Sequence, residues 1–365
     1  MKIKELIKFL ENFAPLYLQE EYDNCGLTVG EKNNKITKIL TCVDVTLEVI
    51  KEAKKNNCNL IISHHPVIFE AIKKINNDDF TEKIIFEAIK NNIALYAMHT
   101  NLDNILNGVN SIICKKLKIK NTKILLPKNN TLKKIITFCP EKNTHKIRTA
   151  LFKAGGGAIG DYDSCSFITT GEGSFRPLNN SNPFVGEKGE IHKGKENKIE
   201  IIFPAHKEEN IIKTLLDVHP YEEVAYYIHE LNNTNKDIGS GMIGELEKET
   251  KTLEFMKFIK KTMKSKCIRH TNINNKKIKK VAVCGGSGGF LIEEAIKQKA
   301  EIFITGEIKY HDFFKANDKI ILIDIGHFES ERYTTNLIYE IIKKNFSKLA
   351  ILKSNIDTNP ISYII

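Results

Sequence analysis

Short apolar runs alternate with stretches of helical spacing through the first third of the sequence, and this alternation restricts the chain to few folds. Lys38–Val45, Asn59–Ser63 and Ala94–Met98 have the pattern of buried strands, and Leu47–Asn56 and Phe80–Asn91 have the spacing of helices. Strands separated by helices of about ten residues are typical of a mostly parallel sheet. The sequence therefore predicts an α/β fold.

The middle of the chain changes character near Pro127. Strand, helix, strand, strand, helix and strand patterns follow one another at Leu132–Phe138, His145–Lys153, Tyr162–Thr170, Lys198–Phe203, Lys207–Asp217 and Glu223–Glu230. This βαββαβ order predicts a ferredoxin-like domain. The polar stretch Asn179–Asn197 is predicted to be a long loop between the two middle strands.

The α/β pattern resumes after Asn232–Gly241. Helices are predicted at Leu253–Met263, Phe290–Lys299 and Glu329–Asn345, and strands at Lys279–Cys284, Glu301–Thr305 and Lys319–Asp324. We therefore predict one split α/β domain, with residues 1–126 and 239–365 as two similar halves. Residues 127–238 are predicted to form the inserted ferredoxin-like domain.

Composition and segment content predict a cytoplasmic protein. Hydrophobic residues make up 41% of the 365 residues, yet no run approaches the roughly 20 apolar residues of a membrane helix. The amphipathic start MKIKELIKFLENF lacks the apolar core and cleavage site of a signal peptide. The eight cysteines are scattered without a CxxC pair, which argues against a zinc ribbon or a disulfide framework.

The net charge of +10 does not by itself indicate a nucleic-acid partner. Nearly all basic residues are lysines, and they are spread along an Asn-rich chain instead of forming a stripe interleaved with aromatic residues. General enrichment in lysine and asparagine explains the charge more simply. We therefore do not expect nucleic-acid binding or a DNA-associated adaptor role.

Polar clusters follow several predicted strands, at the edge where ligands of α/β sheets bind. The apolar run Ile61–Ser63 leads directly into His64 and His65, and Pro66 ends the strand. Adjacent residues on an extended chain point to opposite sides. His64 and His65 are therefore expected to serve different ions.

Two further clusters add carboxylates. A strand runs into His99, with Asp103 four residues later; Asp103 suits a hard ion, and His99 can be a ligand, a group that supports a ligand, or a proton carrier. His327 and Glu331 share one face of a helical turn, and Glu331 is long enough to bridge two ions. Glu329 lies on another face and is expected to be solvated or to stabilise the helix start.

The segment Thr305–Asp312 carries candidate substrate-binding and catalytic side chains. Glu307, Lys309 and His311 can each touch a substrate, and Lys309 can meet a phosphate. The segment Gly285–Gly289 follows a strand and opens a helix, where backbone amides can cradle phosphate. Its glycines also suit a tight turn with positive φ, so both interpretations stay open.

Five of these side chains form a mixed set of nitrogen and oxygen donors: His64, His65, Asp103, His327 and Glu331. Such a set suits Zn, Mn, Fe, Co or Ni. Five protein ligands for two ions leave positions open for water, which is typical of catalytic sites. Two ions about 3.5–4 Å apart can activate a bridging water for hydrolysis.

Several motifs occur together in an order seen in one known family. They are Tyr22–Leu27, Ser63–Pro66, His99–Asp103, Gly285–Gly289, Thr305–Asp312 and Gly326–Glu331. This order resembles the GTP cyclohydrolase I type 2 homologue (Nif-three-like) family. The segments Gly160–Phe167, Gly171–Pro177 and His219–Ala225 are similar to the inserted domain of its longer bacterial members, which resembles the PII and CutA trimer folds.

The resemblance covers essentially the whole chain, with three departures. Tyr22 stands where many members carry Trp, Cys25 where an aliphatic residue is common, and Glu307 where Asp is frequent. None of the three is among the five candidate metal ligands. The departure at Glu307 affects only the substrate side of the prediction.

The resemblance implies two divalent ions bound by the five ligands, with Glu331 as the bridge. It also implies a toroidal homo-hexamer, a trimer of dimers, with sites that face an internal cavity. The family name implies conversion of GTP to a dihydroneopterin triphosphate, with His99 or His311 moving protons and Lys309 holding phosphate. The alternatives are a metal-dependent phosphoesterase and a non-catalytic metal-handling or regulatory protein.

Overall fold

Strands and helices alternate along the chain in the computed structural model, which describes residues 1–273 and 277–364. The described strands are β1 (Gly26–Val29), β2 (Ile39–Cys42), β3 (Leu60–Ser63), β4 (Ala94–Ala97), β5 (Ile119–Pro127), β6 (Leu132–Pro140), β7 (Phe167–Phe175), β8 (His192–Pro204), β9 (Tyr226–Leu231), β10 (Gly239–Lys251), β11 (Arg269–His270), β12 (Lys277–Cys284), β13 (Ile302–Thr305), β14 (Ile321–Asp324) and β15 (Ile351–Lys353). The described helices are α1 (Ile3–Phe13), α2 (Leu47–Lys55), α3 (Phe80–Lys90), α4 (Thr100–Asp103), α5 (Val109–Lys116), α6 (Thr144–Lys153), α7 (Glu208–Val218), α8 (Thr252–Met263), α9 (Ile292–Lys297), α10 (His327–Glu331) and α11 (Thr334–Asn345). The predicted α/β class is confirmed.

The chain divides into two units. The first joins Met1–Pro127 to Lys236–Ile365, and the second is Lys128–Asn235. In the second unit the elements follow the order β6, α6, β7, β8, α7, β9, and the antiparallel sheet has the strand order β7-β8-β6-β9. Its core packs Ile135 and Ile201 of the sheet against Leu151 and Ile211 of the two helices.

The first sheet of the first unit has the strand order β1-β4-β3-β2-β15. β4, β3, β2 and β15 are parallel, and β1 pairs antiparallel with β4. Continuous runs of Ile, Leu and Ala are buried on both faces, as expected for parallel strands covered on both sides. Cys42, Ser63 and Ala97 lie in register, so β2, β3 and β4 end at one edge.

The second sheet of the first unit has the strand order β11-β14-β13-β12-β10-β5. Its central strands β12, β13 and β14 are parallel, and the outer pairs are antiparallel. Cys284, Thr305 and Asp324 lie in register at the carboxyl ends of the parallel strands. The segments that follow these strands therefore start side by side.

Two strands that the sequence patterns did not predict join the sheets in an unexpected way. β5 lies in the first part of the chain but pairs with β10 in the second sheet. β15 lies in the last part but pairs with β2 in the first sheet. The part of the chain before the second unit therefore supplies an edge strand to the second sheet. The part after the second unit supplies an edge strand to the first sheet.

A shared core joins the two sheets of the first unit. Leu60 and Ile62 of β3 belong to the same buried cluster as Val281 and Val283 of β12. Ile61 points to the opposite face of the first sheet and belongs to a separate cluster. The side chains alternate between the two faces of β3, and the face that carries Leu60 and Ile62 packs toward the second sheet.

The prediction of one helix over Glu329–Asn345 is wrong. The structure has the one-turn helix α10, which ends at Glu331, and the separate helix α11, which begins at Thr334. The β-branched, buried residues Thr334 and Thr335 open α11. The break lies directly after Glu331, so this side chain is carried by its own short helix.

Two predicted boundaries in the second unit are also wrong. The strand predicted to begin at Tyr162 begins at Phe167, because Ser164 has a φ of +55°, which extended backbone cannot adopt. The loop predicted to extend to Asn197 ends earlier, since β8 begins at His192.

In the first unit, the helix predicted over Phe290–Lys299 is a 3₁₀ turn followed by the shorter helix α9. Among the described residues, no helix combines the length and apolarity that a membrane crossing needs.

Candidate metal centre

Six side chains of the first unit converge where the parallel strands of its two sheets end. His64 and His65 follow β3, His99 follows β4, Asp103 ends α4, and His327 and Glu331 begin and end α10. Their donor atoms form three groups, each spanning at most 4.8 Å. The groups are His64 with Asp103 and Glu331, His65 with His327 and Glu331, and His64 with His65 and His99.

Glu331 is the residue common to the first two groups, and it is 2% exposed. Its Oε1 lies 3.6 Å from His64 Nε2. Its Oε2 lies 3.0 Å from His65 Nε2 and 3.2 Å from His327 Nε2. Asp103 Oδ1 lies 3.8 Å from His64 Nε2. Donors bound to one metal at about 2.0–2.2 Å are separated by distances of this size.

Several of these buried donor atoms lack a hydrogen-bond partner. His64 Nε2, Asp103 Oδ1 and Glu331 Oε2 are among such atoms in the described part of the chain. Glu331 Oε2 is close to two imidazole nitrogens, but neither contact has the geometry of a hydrogen bond. A buried polar atom without a partner is costly unless another group satisfies it. The clusters can therefore hold metal ions.

Each histidine of the first two groups is oriented by an acceptor at Nδ1. His64 Nδ1 donates to the Met98 carbonyl oxygen at 2.8 Å, and His65 Nδ1 donates to Asp44 Oδ1 at 2.7 Å. His327 Nδ1 donates to Glu307 Oε2 at 3.1 Å. These bonds leave Nε2 facing the cluster, which is the usual arrangement around metal-bound histidines.

The carboxylates make the cluster favourable for positive charge. Burial alone would lower the pKa of His65, but Asp44 and Glu331 outweigh burial and raise this pKa to about 10. Burial is likewise outweighed at His327, where Glu331 raises the pKa to about 9. Although burial opposes it, the surrounding histidines hold the pKa of Glu331 well below its usual range. A cation is therefore stabilised at this position.

His99 has the same orientation pattern but belongs to the third group. Its Nδ1 donates to Asp23 Oδ1 at 2.8 Å, and both residues are buried. Its ring centroid lies 5.2 Å from that of His64 and 5.1 Å from that of His65. The backbone amide of Thr100 donates to the other Asp23 oxygen at 3.0 Å. Asp23 thus fixes His99 beside the other imidazoles.

The three predicted substrate-side residues lie in different surroundings. Glu307 is exposed, and its Oε2 accepts a hydrogen bond from His327 Nδ1 at 3.1 Å, so it supports a candidate ligand. Lys309 is exposed in the turn after β13. His311 is also exposed, and its ring packs against Tyr310, with a centroid distance of 5.2 Å. The donor groups do not include Lys309 or His311.

Of the two alternatives predicted for Glu329, a solvated side chain is wrong, whereas its position in the first turn of α10 agrees with a helix-start acid. Its side chain is 2% exposed, and Oε1 accepts a hydrogen bond from Asn359 Nδ2 at 3.2 Å. Sequence spacing correctly places Glu329 and Glu331 on different faces of α10. The face that carries Glu329 is covered by the segment after β15. A contact across 30 residues of sequence is invisible to a helical-face argument.

The glycine-rich turn after β12 packs against the cluster. Three of its backbone amides already donate to side chains, Gly285 to Asn110, Gly286 to Ser330 and Gly288 to Thr305. Gly286 has a φ of +61°, and a Cβ atom there would lie 2.4 Å from Glu331 Oε1. The structure favours the tight-turn interpretation over a phosphate cradle, because these amides are already bonded.

Comparison with known proteins supports one family over the whole length. The model of the Duf34/NIF3 (NGG1p interacting factor 3) family matches residues 1–360. The chain is 35% identical to a GTP cyclohydrolase 1 type 2 homolog of Bacillus subtilis (strain 168), over 99% of this chain and 98% of that protein. The chain belongs to the DUF34/NIF3 family.

Two solved structures have a similar fold over the whole chain. A Bacillus cereus protein related to NIF3 is 34% identical, with a TM-score of 0.85 over 100% of this chain and 99% of that chain. Staphylococcus aureus protein SA1388 is 30% identical, with a TM-score of 0.80 over 100% and 99%. The predicted family membership is thereby confirmed.

Sequence reasoning did not identify two carboxylates that orient histidines in this NIF3 protein. Asp44 follows the end of β2 by two residues, and Asp23 lies inside the quoted motif Tyr22–Leu27. Asp44 could have been identified from its position, because an acid just beyond a buried parallel strand lies at the ligand-binding edge of the sheet. For Asp23 the family motif was the only signal.

We expect Glu307→Ala to weaken metal binding about tenfold, because loss of the acceptor frees the His327 ring to rotate. The measurement is metal affinity from competition with a chelator. Asp312→Ala is the matched control, since this acid lies in the same segment but pairs with Lys315 at 2.8 Å. Equal affinities for both variants would contradict a supporting role for Glu307.

Proposed function

We propose that this chain is a dinuclear metal-dependent hydrolase with a GTP cyclohydrolase I type of activity, which converts GTP to a dihydroneopterin triphosphate. The observation that carries the proposal is the position of Glu331. Its Oε1 faces His64 at 3.6 Å, while its Oε2 faces His65 at 3.0 Å. A glutamate shared between two donor groups is what a bridging ligand requires.

Two divalent ions fit the donor groups of this proposal. His64, Asp103 and Glu331 would hold one ion, and His65, His327 and Glu331 would hold the other. These donors suit Zn, Mn, Fe, Co or Ni. When bound, such a pair lowers the pKa of water and neutralises charge that develops in hydrolysis.

His99 is the side chain best placed to move a proton in the hydrolytic opening of the guanine imidazole ring. Asp23 holds Nδ1 of His99 at 2.8 Å, so its Nε2 is the nitrogen left for substrate or water. His311 would serve as proton carrier only for a substrate that extends to the exposed turn Tyr310–Ala316. The donor groups favour His99 for this role, since His311 lies outside them.

Aromatic side chains near His99 support a planar substrate. The Phe69 ring is 49% exposed, and its centroid lies 5.8 Å from that of His99 in an edge-on arrangement. Tyr22, beside Asp23 in sequence, is 69% exposed. Exposed rings beside a site can stack on a purine base.

The exposed side chains after β13 support a phosphorylated substrate. Lys309 has no ion pair within the described residues and is free to meet a phosphate. Glu307 would contribute mainly through His327, which it contacts at 3.1 Å. A nucleotide or another phosphorylated small molecule is therefore the ligand class that we propose.

We also propose that the second unit is a ferredoxin-like, PII- and CutA-like insertion within a toroidal homo-hexamer, a trimer of dimers. Support comes from its strand order and from large apolar side chains that it exposes: Ile159, Tyr162, Phe167, Leu178 and Ile191. Burial of such side chains between subunits would stabilise an assembly.

We propose a cytoplasmic location, because all eight cysteines are unpaired, as is usual in a reducing compartment.

The test is GTP turnover by metal-loaded protein, followed by formation of the dihydroneopterin product. We expect His65→Ala to lower the rate by about 100-fold or more, because one ion position loses a ligand. Weak turnover that His65→Ala leaves unchanged would contradict the proposal.

Two further results would select an alternative function. Turnover of generic phosphodiesters or other nucleotides, but not of GTP, would favour a phosphoesterase. Tight binding of ions without turnover of any of these substrates would favour the non-catalytic metal-handling or regulatory role. Metal content, measured on the same samples, separates an inactive site from an empty one.

A further inference from the structure

The segment after β15 forms a strap (residues 354–359) that reaches the candidate metal centre. At its start, Ser354 Oγ donates to Glu52 Oε2 at 2.5 Å. Further along, Thr358 Oγ1 donates to Asp44 Oδ2 at 2.7 Å. The bonds to Glu52 and Asp44 both fasten the strap to the first sheet, but only the second involves a residue that contacts a candidate ligand.

Asp44 links the strap to a donor group. Its Oδ2 accepts from Thr358, and its Oδ1 accepts from His65 Nδ1 at 2.7 Å. The Asp44 side chain is 32% exposed, so without Thr358 it could rotate and bond to water instead. With both oxygens bonded the carboxylate has one orientation, which fixes the His65 ring with Nε2 3.0 Å from Glu331.

The next strap residue bonds the helix that carries the second histidine of the same donor group. Asn359 Nδ2 donates to Glu329 Oε1 at 3.2 Å, and the buried Glu329 lies on α10, the helix that also carries His327. Thr358 thus reaches Asp44, which orients His65, and Asn359 reaches α10, the helix that carries His327. These are the two histidines assigned above to the same ion.

We propose that Thr358 is a positioning residue of the metal centre, which acts through Asp44 on His65 and sets the affinity of the ion held by His65 and His327. The proposal rests on the assignment of metal ligands in the proposed function. The ion held by His64 and Asp103 is not touched by the strap, because His64 is oriented by the Met98 carbonyl. The two ions should therefore respond differently to loss of the Thr358 hydroxyl.

The experiment compares Thr358→Val, which removes the hydroxyl at nearly constant shape, with Thr358→Ser, which keeps it. Co²⁺ is titrated into metal-free full-length protein against a chelator, and its visible absorption reports the geometry of each bound ion. We expect Thr358→Val to weaken one of two binding steps about tenfold and to change its spectrum. Thr358→Ser should stay within about twofold of the wild type.

Ser354→Ala tests whether any loss of a strap hydrogen bond weakens metal binding, or only the loss of the bond to Asp44. It removes the hydroxyl bond to Glu52, while the Asn355 amide still donates to Glu52 Oε1 at 3.0 Å. Asp44 is left untouched, so we expect both affinities to be unchanged. Equal weakening by Ser354→Ala and Thr358→Val would overturn the proposal, as would wild-type affinities in Thr358→Val. In an Asp44→Asn background, Thr358→Val should have no further effect on the affected step.

The wild-type titration separates this proposal from the one on which it rests. Fewer than two ions bound by the wild type would contradict the dinuclear centre itself. Two wild-type ions combined with an unaffected Thr358→Val variant would contradict only the role of the strap. Thermal unfolding of the metal-free variants shows whether each of them is folded before the titration is interpreted.

Discussion

Glu331→Ala is expected to reduce the metal content of the protein from about two ions per chain to close to none. Without this carboxylate, one position would keep only His64 and Asp103, and the other only His65 and His327. Two protein donors per ion are fewer than the three that catalytic sites usually supply. Elemental analysis after metal-free purification, reloading and removal of free metal measures the loss directly.

Glu82→Ala is the matched control for the loss of a buried carboxylate. Glu82 is 5% exposed, and its Oε2 accepts from the backbone amides of Asn76 and Asp78, in a segment with no candidate ligand. We expect this variant to be less stable but to keep both ions. If Glu331→Ala also kept both ions, the shared carboxylate would not be the bridge, and the convergence of histidines would need a structural explanation.

The candidate ligands could be found from sequence because each is marked by its immediate neighbours. A buried apolar run that ends in His64 and His65 places these residues at the edge where parallel strands end. The four-residue spacing of His327 and Glu331 places them on one helical face. Both signals lie within a few residues of the ligands themselves. Even the helix that carries His327 and Glu331 has only five residues.

Long-range contacts explain what the sequence did not predict. Asp44 and Thr358 are 314 residues apart, and no local pattern indicates that their side chains meet. Burial of Glu329 depends likewise on a later segment. The edge strands β5 and β15 join sheets built mainly from the other end of the chain, and their mixed burial lacks the continuous apolar run of the central strands.

The second large effect is expected from Gly286→Ala, which tests how closely the backbone must approach the metal centre. The φ of +61° costs alanine about 1 kcal/mol, and its Cβ would lie 2.4 Å from Glu331 Oε1. Glu331 cannot retreat freely, because its other oxygen lies between His65 and His327. We therefore expect metal affinity to fall at least about tenfold, in addition to the loss of stability.

Gly160→Ala separates backbone strain from the steric effect. Gly160 has a φ of +55°, close to that of Gly286, but a Cβ there would meet nothing within 4 Å. Urea unfolding of the metal-free proteins should show a loss of about 1 kcal/mol in Gly160→Ala and a larger loss in Gly286→Ala. Chelator competition should show weaker metal binding only in Gly286→Ala. If both variants bound metal like the wild type, the close approach of Gly286 to Glu331 would not constrain the site, and the turn would require glycine for its backbone conformation alone.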